Sequence, residues 1–499
     1  MRDTAPHLEQ LDDLAGELSS LAAGDGVRLI WRAQQRLAKR SVVRQGRVEG
    51  SSATTLAGHG IQIVADDGRT ALASRDDFDA GAARSLYQRT LGAAQGGARL
   101  GLHPAPAATM PIVRERRIPI PRERFEAVDL QQVAERLVDL EKRIDAAVPG
   151  LQLAVSYRCE YDSWRIARED GTDVLFAMPR TMLAMRATGS GDAGRHGVSA
   201  SLFGASPESL HDEAWVETFF QRALSAATLA TQLPDAPDHP AGSFPLVIDY
   251  ALAKGLAHEA FGHASETDGF RSSILAEKGR FRRGETVGPE SLSIVDEPLE
   301  NDHAWQPFSA NGVPREPVRI VDQGRLLDAL SDPWSAESAG VDARGCARAE
   351  SYRHAPQPRM TNIRIESSEA LPAEGSFESY GPDEVRGLLA DAGVFKRHPK
   401  VAFLSGYTGG QVNTTGGDFV FHCKAIYDLD ERGSTLHKPA IFSGSMFGAL
   451  QSIREAFGPL LLDAIGFCGK WGQSVPSSGG SHYFLVLEPH DSVRLGGRR

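Results

Sequence analysis

The segment from 258 to 263 reads His-Glu-Ala-Phe-Gly-His and carries the side chains best suited to catalysis in this chain. Two histidines with an acid directly after the first form the pattern of zinc hydrolases. In such sites the imidazoles bind the metal, and the carboxylate accepts a proton from water. The pattern favours His258 and His263 as metal ligands and Glu259 as the general base. The alternative is a pair of histidines that only pack near the end of a helix.

The spacing of these two histidines is unusual. In the common HExxH motif, the histidines lie one helical turn apart, on the same face of an α-helix. Here they lie five residues apart, which on an ideal α-helix separates the side chains by about 140° around the axis. A local π-type turn would bring the imidazoles together, and Gly262 tolerates such a distortion. The motif therefore predicts an irregular helix.

A zinc site also needs a third protein ligand and an open position for water. Cys468 is the candidate, in the sequence Phe-Cys-Gly-Lys-Trp-Gly from 467 to 472. A thiolate beside glycine in a turn suits a zinc ligand, whereas the alternative is a buried thiol that packs as a small apolar residue. Lys470 is close enough in sequence to lower the pKa of this thiol.

The elements around these residues predict an α+β protein with two domains. Helix and hairpin patterns alternate through residues 1–235, which indicates an N-terminal α/β domain with a sheet and helices. Three prolines between 234 and 240 mark a linker. Residues 236–499 then open with a helix, predicted from 245 to about 264 with Ser243 as its N-cap. Short strands follow, so this second domain is predicted to be β-rich and barrel-like and to carry the histidine motif.

The composition limits the classes of partner. The chain has 499 residues, of which 41% are hydrophobic and 24% charged, as in a folded globular protein. Its net charge of −11 disfavours binding to nucleic acid and to anionic membranes. Its four cysteines form no CxxC pair, which fits a reducing compartment. Because signal-peptide features and long apolar runs are also missing, we expect a cytoplasmic protein without nucleic-acid or membrane partners.

The chain resembles the TldD/PmbA (TldD/TldE) family of zinc metalloproteases over nearly its whole length. The segments that carry the resemblance follow the family's order: 46–49 with Gly60, 258–263, Glu-Ser-Tyr-Arg-His-Ala-Pro-Gln-Pro-Arg-Met-Thr-Asn at 350–362, Gly-Gly-Gln-Val at 409–412, Gly-Asp-Phe-Val-Phe at 417–421, and Cys-Gly-Lys-Trp-Gly-Gln-Ser-Val-Pro at 468–476. Each motif is modest alone, but their combination is specific.

This resemblance implies a Zn²⁺ site of His258, His263 and Cys468, with Glu259 as the general base. It implies the catalytic TldD-like type of subunit, because the metal motif is intact. It also implies a homodimer, or a heterodimer with a related subunit, that encloses a cavity and cleaves unfolded or short peptides, including peptide precursors in biosynthetic pathways. A His/His/Cys set favours zinc over iron or cobalt.

The chain departs from the family's pattern after Cys468. The family continues with a Gly-rich segment ending in Gly-Gln-Pro, whereas residues 477–482 here read Ser-Ser-Gly-Gly-Ser-His. The chain is therefore identified as a divergent member, whose substrate, cleavage site and peptidase activity this segment leaves open. Glu266 stands where the family has an acidic neighbour, and it is expected either to orient a ligand histidine or to cap the helix end.

Two further groups are predicted to bind substrate. A donor must face the negative charge that develops on the scissile carbonyl, and Tyr352, His354 and Arg359 are the candidates. The alternative is that these three only stiffen an extended loop. Gly410 and Gln411 lie where a strand edge could bind an extended peptide, although a turn that needs glycine explains the same sequence.

The predicted function is a zinc-dependent metallopeptidase with water as the nucleophile. Two alternatives remain open: a non-hydrolytic peptide-binding or assembly subunit with a structural metal, and a metal-dependent tailoring enzyme that acts on a small metabolite. A structural site usually fills all four metal positions with protein ligands and has no use for Glu259, which favours the peptidase.

Overall fold

Two large β-sheets organise the chain in the computed structural model, which describes residues 7–65, 68–96, 109–192 and 194–496. The strands of the first sheet are β1 (Arg28–Arg44), β2 (Arg47–Val64), β3 (Thr70–Arg75), β4 (Arg114–Arg117), β5 (Gln152–Arg168), β6 (Asp173–Gly191) and β7 (Gly194–Gly204). The helices in the same part are α1 (Asp12–Asp25), α2 (Ala80–Gly96), α3 (Arg122–Glu126), α4 (Leu130–Ala147) and α5 (Glu213–Gln232), with 3₁₀ turns at Leu8–Gln10, Pro207–His211 and Leu233–Asp235.

The first sheet is a long antiparallel meander. Its strand order is β3-β2-β1-β5-β6-β4, with β7 also paired to β6 and only β4 running parallel to its neighbour. Gln45 and Gly46 close the β1–β2 hairpin with φ angles of 50° and 71°, the positive values that a tight hairpin turn requires. Helices α4 and α5 pack their apolar stripes together with the sheet.

The second part contains the other large sheet and two separate two-stranded sheets. Its strands are β8 (Leu246–Asp249), β9 (Ala276–Glu277), β10 (Arg280–Phe281), β11 (Leu292–Glu297), β12 (Val318–Asp322), β13 (Arg325–Leu326), β14 (Ala347–Arg348), β15 (Gln357–Pro358), β16 (Asn362–Ser367), β17 (Lys400–Asn413), β18 (Asp418–Asp430), β19 (Ser434–His437), β20 (Ile441–Ser445), β21 (Ile453–Leu461), β22 (Gly466–Lys470), β23 (Gln473–Leu487) and β24 (Val493–Leu495). Its helices are α6 (Tyr250–Gly255), continued by a π-helical segment at Leu256–Gly262, α7 (Ala336–Ala339), α8 (Pro382–Asp391), α9 (Val394–Arg397) and α10 (Met446–Ser452), with 3₁₀ turns at His263–Ser265, Thr267–Gly269 and Phe377–Ser379.

This second sheet is mixed and open. Its main path is β13-β12-β11-β16-β23-β8-β17-β18-β20-β24, and within the described residues it does not close on itself. The α+β class is thus confirmed, whereas the term barrel-like describes the second part only loosely. Short β8 lies in the middle of the sheet, antiparallel to β23 and parallel to β17. The helix that carries the histidine motif begins where β8 ends, so the sheet centre fixes its position.

The predicted start of this helix is wrong. Residues 246–249 form β8, and the helix begins at Tyr250, with the carboxylate of Asp249 accepting a hydrogen bond from the N–H of Leu252 at 2.9 Å. A Leu-Val-Ile run suits a strand that is buried on both faces, because β-branched side chains fit the pleated sheet. Ser243 does not cap the helix, and its hydroxyl donates instead to the carbonyl of His490 at 3.0 Å.

Buried arginines join the first sheet to the second part of the chain. Arg32 on β1 donates to the side chain of Asn311 at 2.8 Å and to the carbonyl of Ala310. Arg168 on β5 donates to the carbonyl of Asn311 at 3.0 Å. The division of the chain at residue 235 stays a prediction, since such contacts tie the two parts together. None of the described helices has the length and apolarity needed to span a membrane.

Candidate metal centre

The histidine motif lies on an irregular helix, as its spacing predicts. Regular α6 passes into the π-helical segment at Leu256–Gly262, and a 3₁₀ turn then begins at His263. The wider turn brings the rings of His258 and His263 to 5.1 Å between centroids, at 90° to each other. Besides tolerating the wider turn, Gly262 avoids a steric clash, because a Cβ atom at this position would overlap the sulfur of Met360.

Cys468 meets the two histidines from the opposite side. It lies on β22, in a hairpin with β23 in which it pairs with Val475. Its Sγ is 3.5 Å from Nε2 of His263, and one ligand atom from each of the three residues lies within 4.8 Å of the others. All three side chains are largely buried. A protein that places two imidazoles and a thiol together in this way offers the donor set of a catalytic zinc site.

The electrostatics of the cluster fit a bound cation. Burial and the nearby charge of Lys254 hold the pKa of His258 well below its usual range, so this ring is neutral, and its buried Nδ1 has no hydrogen-bond partner among the described residues. Burial raises the pKa of Cys468, but the charges of His263 and Arg359 outweigh it, so the thiol pKa is lowered. The neutral ring of His258 and the thiolate of Cys468 are forms that bind a metal, whereas the charged ring of His263 would release a proton when a metal binds.

Glu266 orients His263. Nδ1 of His263 donates to the Glu266 carboxylate at 3.1 Å, which leaves Nε2 facing Cys468. Burial lowers the pKa of His263, but the carboxylate and the thiolate outweigh it and raise that pKa well above its usual range. Lys470 pairs with Glu266 at 2.9 Å and with Asp268 at 2.7 Å. The lysine thus holds the carboxylate of Glu266 in place. The pKa of the Cys468 thiol is lowered by His263 and Arg359, whereas the sequence had suggested a direct effect of Lys470.

Glu259 lies at the edge of the cluster. One of its carboxylate oxygens is 4.0 Å from Nε2 of His263, and the other accepts a hydrogen bond from the hydroxyl of Tyr407 at 3.1 Å. Sequence reasoning missed Tyr407, although it stands three residues before Gly410. Its contact with Glu259 depends on the position of β17 beside the π-helical segment, which the sequence does not reveal.

The three candidate donors of the 350–362 run lie in different surroundings. Arg359 is buried and donates to the carbonyl of Cys468, so it holds the hairpin that carries this thiol. The hydroxyl of Tyr352 donates to Asp76 at 2.6 Å, next to β2 of the first sheet. Nδ1 of His354 is 2.9 Å from the hydroxyl of Ser351. The structure therefore brings Arg359 to the cluster and engages Tyr352 and His354 elsewhere.

Gly410 and Gln411 lie in a strand and not in a turn. They belong to β17, opposite Phe421 and Val420 of β18. On its other side, β17 pairs with β8 only as far as Leu404. Beyond that residue, no second strand of the described chain covers this edge of β17, which runs past Tyr407 to Asn413.

The divergent segment 477–482 is mostly interior. It forms the middle of β23, where added Cβ atoms on Gly479 and Gly480 would collide with the backbones of Ile363 and Leu461. Small residues are therefore needed for packing between β16 and β21. Ser477 differs, since its hydroxyl is 3.4 Å from the Nζ of Lys254 on α6.

Several known proteins resemble this chain in sequence. Residues 241–462 match the family model described as PmbA/TldA metallopeptidase C-terminal domain. The "Metalloprotease TldD homolog" of Haemophilus influenzae is 32% identical over 264 residues, which cover 52% of this chain and 49% of that protein. A "Metalloprotease" of Methanothermobacter thermautotrophicus is 27% identical over 340 residues, 68% of this chain and 69% of that protein. The match thus spans about half the length of the Haemophilus relative.

Solved structures share the fold over nearly the whole chain. TldE from Thermococcus kodakarensis superposes with a TM-score of 0.73 at 14% identity, covering 98% of this chain and 100% of that one. A putative modulator of a DNA gyrase from Thermotoga maritima gives a TM-score of 0.71 at 17% identity, with 97% and 100% covered. At these identities the likeness concerns the fold alone.

Proposed function

We propose that this chain, which belongs to the TldD/PmbA family, is a zinc-dependent peptidase that hydrolyses peptide bonds in short or unfolded peptides. The observation that carries this proposal is the position of Glu259 beside three candidate ligands. A site that serves only structure usually fills all four metal positions with protein side chains. Three ligands next to a carboxylate that can accept a proton are instead the arrangement of a hydrolase.

His258, His263 and Cys468 would hold the zinc ion, since they offer two imidazoles and a thiolate within reach of one another. When bound, zinc supplies a Lewis acid that makes a water molecule more acidic and polarises a carbonyl group. Glu259 then accepts the proton of the attacking water and delivers it to the leaving amine. Glu266 keeps the imidazole of His263 in the orientation that its ligand role requires.

Tyr407 is our candidate for the donor that stabilises negative charge on the scissile carbonyl oxygen. Its hydroxyl already lies 3.1 Å from Glu259, so it points into the space where the carbonyl must react. Preorganised donors of this kind stabilise the transition state more than the substrate. Arg359 acts indirectly in this scheme, through the backbone of Cys468.

The open edge of β17 supports a peptide as the substrate. An extended peptide can add to a free strand edge through main-chain hydrogen bonds, which do not depend on its side chains. Gly410 and Gln411 lie on this edge, beyond the last pair with β8. A small metabolite would not use such a row of backbone groups, and we therefore favour the peptidase over the tailoring enzyme.

The proposal extends to the assembly and the cellular location of the protein. We propose a homodimer, or a heterodimer with a related TldD/PmbA subunit, as the working form, supported by the fold shared with TldE of Thermococcus kodakarensis. The four free, buried thiols fit the reducing conditions of the cytoplasm. A peptide precursor in a biosynthetic pathway is the substrate class that we would test first.

The decisive experiment is mass spectrometry of an unstructured peptide mixture incubated with the zinc-loaded protein. We expect cleavage by the wild type and a rate at least about 100-fold lower for Glu259→Gln, because general-base catalysis is lost. Zinc content, measured by atomic spectroscopy, should stay the same in both proteins. The matched control is Glu337→Gln, at an exposed residue on α7. Equal cleavage by Glu259→Gln, or none by the wild type, would contradict the peptidase and favour a structural metal.

A further inference from the structure

A cavity of about 220 Å³ lies between α5, α6 and the β17–β18 hairpin. Tyr407 and Lys254 form part of its wall, and Tyr407 also contacts Glu259, so the cavity adjoins the space where the scissile bond would lie. Lys424 on β18 is a second lysine in the wall. The cavity contains none of the candidate zinc ligands and is a separate feature of the protein.

Among the described residues, neither lysine has a counter-ion at contact distance. Lys254 is only 4% exposed; its Nζ lies 3.4 Å from the hydroxyl of Ser477 and 5.9 Å from the centre of the Tyr407 ring. Within the part of the chain that the structure describes, neither Lys254 nor Lys424 forms an ion pair within 4.0 Å. Burying an ammonium group without a partner costs several kcal/mol. Burial indeed lowers the pKa of both lysines.

The carboxylates in the cavity wall are already engaged. Asp249 accepts hydrogen bonds from the N–H groups of Leu252 and Gly406, at 2.9 and 2.5 Å. Glu378 and Asp463 both pair with Arg222 at 2.7 Å. The end of the cavity next to Tyr407 therefore carries two ammonium groups. The charges of Glu259 and Asp249 act on Lys254 and Lys424, respectively, but within the described residues neither carboxylate forms an ion pair with these lysines.

The cavity has the size and walls of a pocket for one residue. Its volume of about 220 Å³ lies below the roughly 300–1,000 Å³ that is usual for drug-sized ligands. Aromatic side chains form much of the remaining wall: Tyr250, Phe377, Tyr380, Phe403 and Tyr427. A ligand for this space carries a carboxylate at one end and a short carbon skeleton behind it.

We propose that this cavity binds a carboxylate group carried by the substrate residue next to the scissile bond, and that Lys254 and Lys424 determine this specificity. The inference rests on the peptidase function proposed above. The carboxylate is either the free C-terminus of a short peptide or the side chain of an aspartate or glutamate, which present the same chemistry to the two ammonium groups.

A neighbouring cleft extends the preference for acidic groups to further residues of the bound peptide. It has a volume of about 640 Å³, shares Tyr407 and Lys424 with the cavity, and contains Arg40 and Arg186 from the first sheet. Glu49 also lines this cleft and pairs with Arg44 at 3.1 Å, so the basic side chains are in excess. An excess of one sign of charge in a cleft raises the local concentration of oppositely charged ligands. An acidic peptide would therefore approach the carboxylate pocket through a basic entrance.

The test uses four fluorogenic peptides that differ at one group. One pair has aspartate or asparagine next to the scissile bond, and the other pair ends there in a free carboxylate or an amide. We expect the wild type to cleave one carboxylate peptide with a kcat/KM about tenfold above that of its amide, the effect of one hydrogen bond to a charged group. Whichever pair shows the preference identifies the source of the carboxylate.

Variants then connect the preference to the lysines. Lys424→Met is expected to reduce this ratio of kcat/KM values to about twofold or less. Lys254→Met is a second variant in case the first does not fold, and Lys396→Met, at an exposed position on α9, is the matched control. Equal cleavage of both members of each pair by the wild type would overturn the pocket and leave the peptidase intact.

Calorimetry gives a readout that does not need cleavage. The carboxylate peptide should bind the Glu259→Gln protein about tenfold more tightly than its amide, and this difference should vanish when Lys424→Met is added. If no peptide is cleaved, the peptidase proposal fails, and this binding experiment still decides on the pocket. A difference that survives Lys424→Met and Lys254→Met would assign the carboxylate to another site.

Discussion

The hydroxyl of Tyr407 donates a hydrogen bond to Glu259 across 3.1 Å, between residues that are 148 positions apart in the chain. This contact joins β17, in the part beyond its last pair with β8 at Leu404, to the π-helical segment. It places a proton donor and a proton acceptor side by side, at the edge of the candidate metal site. This hydrogen bond therefore links the strand that we propose receives the peptide to the helix that holds the proposed general base.

Tyr407→Phe should separate catalysis from binding. Removing one donor to an oxyanion costs about 10²–10³ in kcat, and we expect a loss of this size with little change in KM for neutral peptides. Steady-state kinetics on one fluorogenic peptide measures it. Tyr87→Phe is the control, because the hydroxyl of Tyr87 donates to Asp25 on α1, in the first part of the chain. An unchanged kcat would remove Tyr407 from the catalytic scheme.

Cys468→Ala should release the metal. The thiolate is one of three candidate ligands, and changes even beyond the ligands cost about 10–100-fold in metal affinity, so we expect a larger loss. Zinc affinity is measured by competition with a chromogenic chelator. Cys346→Ala, at a buried thiol whose pKa burial raises to about 12, is the control. Zinc bound with equal affinity by both variants would refute the ligand role of Cys468.

Gly262→Ala should destabilise the π-helical segment. The added methyl group would overlap the sulfur of Met360, and overpacking of this kind costs about 1–3 kcal/mol of unfolding free energy. Denaturant titration followed by circular dichroism gives the value. Gly269→Ala is the matched control, since a Cβ there meets no atom within 4 Å. Equal stability of the two variants would show that the neighbouring side chains give way without cost.

The stability of the first part of the chain should fall in mild acid because of His59. Burial lowers the pKa of this histidine to about 4 in the folded protein, compared with about 6.5 in an unfolded chain. The unfolded state therefore binds more protons between these values, and the free energy of unfolding decreases as the pH falls from about 6.5 to about 4. Above about pH 6.5 this histidine contributes no pH dependence.

His59→Gln tests this origin. Glutamine keeps an acceptor for the indole N–H of Trp31, which donates to Nδ1 of His59 at 2.9 Å, but it cannot titrate. The variant should lose a slope of up to about 1.36 kcal/mol per pH unit over this range. Urea titrations at a series of pH values provide the comparison. A pH profile identical to that of the wild type would assign the acid sensitivity to other groups.

Much of the site could be anticipated from local spacing. The five-residue separation of His258 and His263 indicated that a π-type turn would bring the imidazoles together, and a π-helical segment is present. The α+β class followed from the alternation of helix and strand patterns along the chain. The ligand roles themselves stay predictions, although His258, His263 and Cys468 lie together.

What the sequence could not predict depends on long-range contacts. Nothing in the spacing of residues 406–412 points to Tyr407, because its contact with Glu259 exists only when β17 lies beside β8. The Leu-Val-Ile run at 246–248 is compatible with either a helix or a strand, and the pairing of β8 with β23 and β17 decides for the strand. Tyr352 has the chemistry of an active-site donor, but its hydroxyl donates a hydrogen bond to Asp76, a contact that the sequence does not reveal.

The central position of β8 also has a consequence for the order of events during protein synthesis. The strand that supports the histidine motif has both of its sheet partners, β17 and β23, more than 150 residues later in the chain. Cys468 lies 205 residues after His263, on the strand that pairs with the start of β23. The three candidate ligands can therefore come together only after β22 and β23 have been synthesised. Metal binding at this site, and with it the proposed activity, has to await the pairing of these two strands.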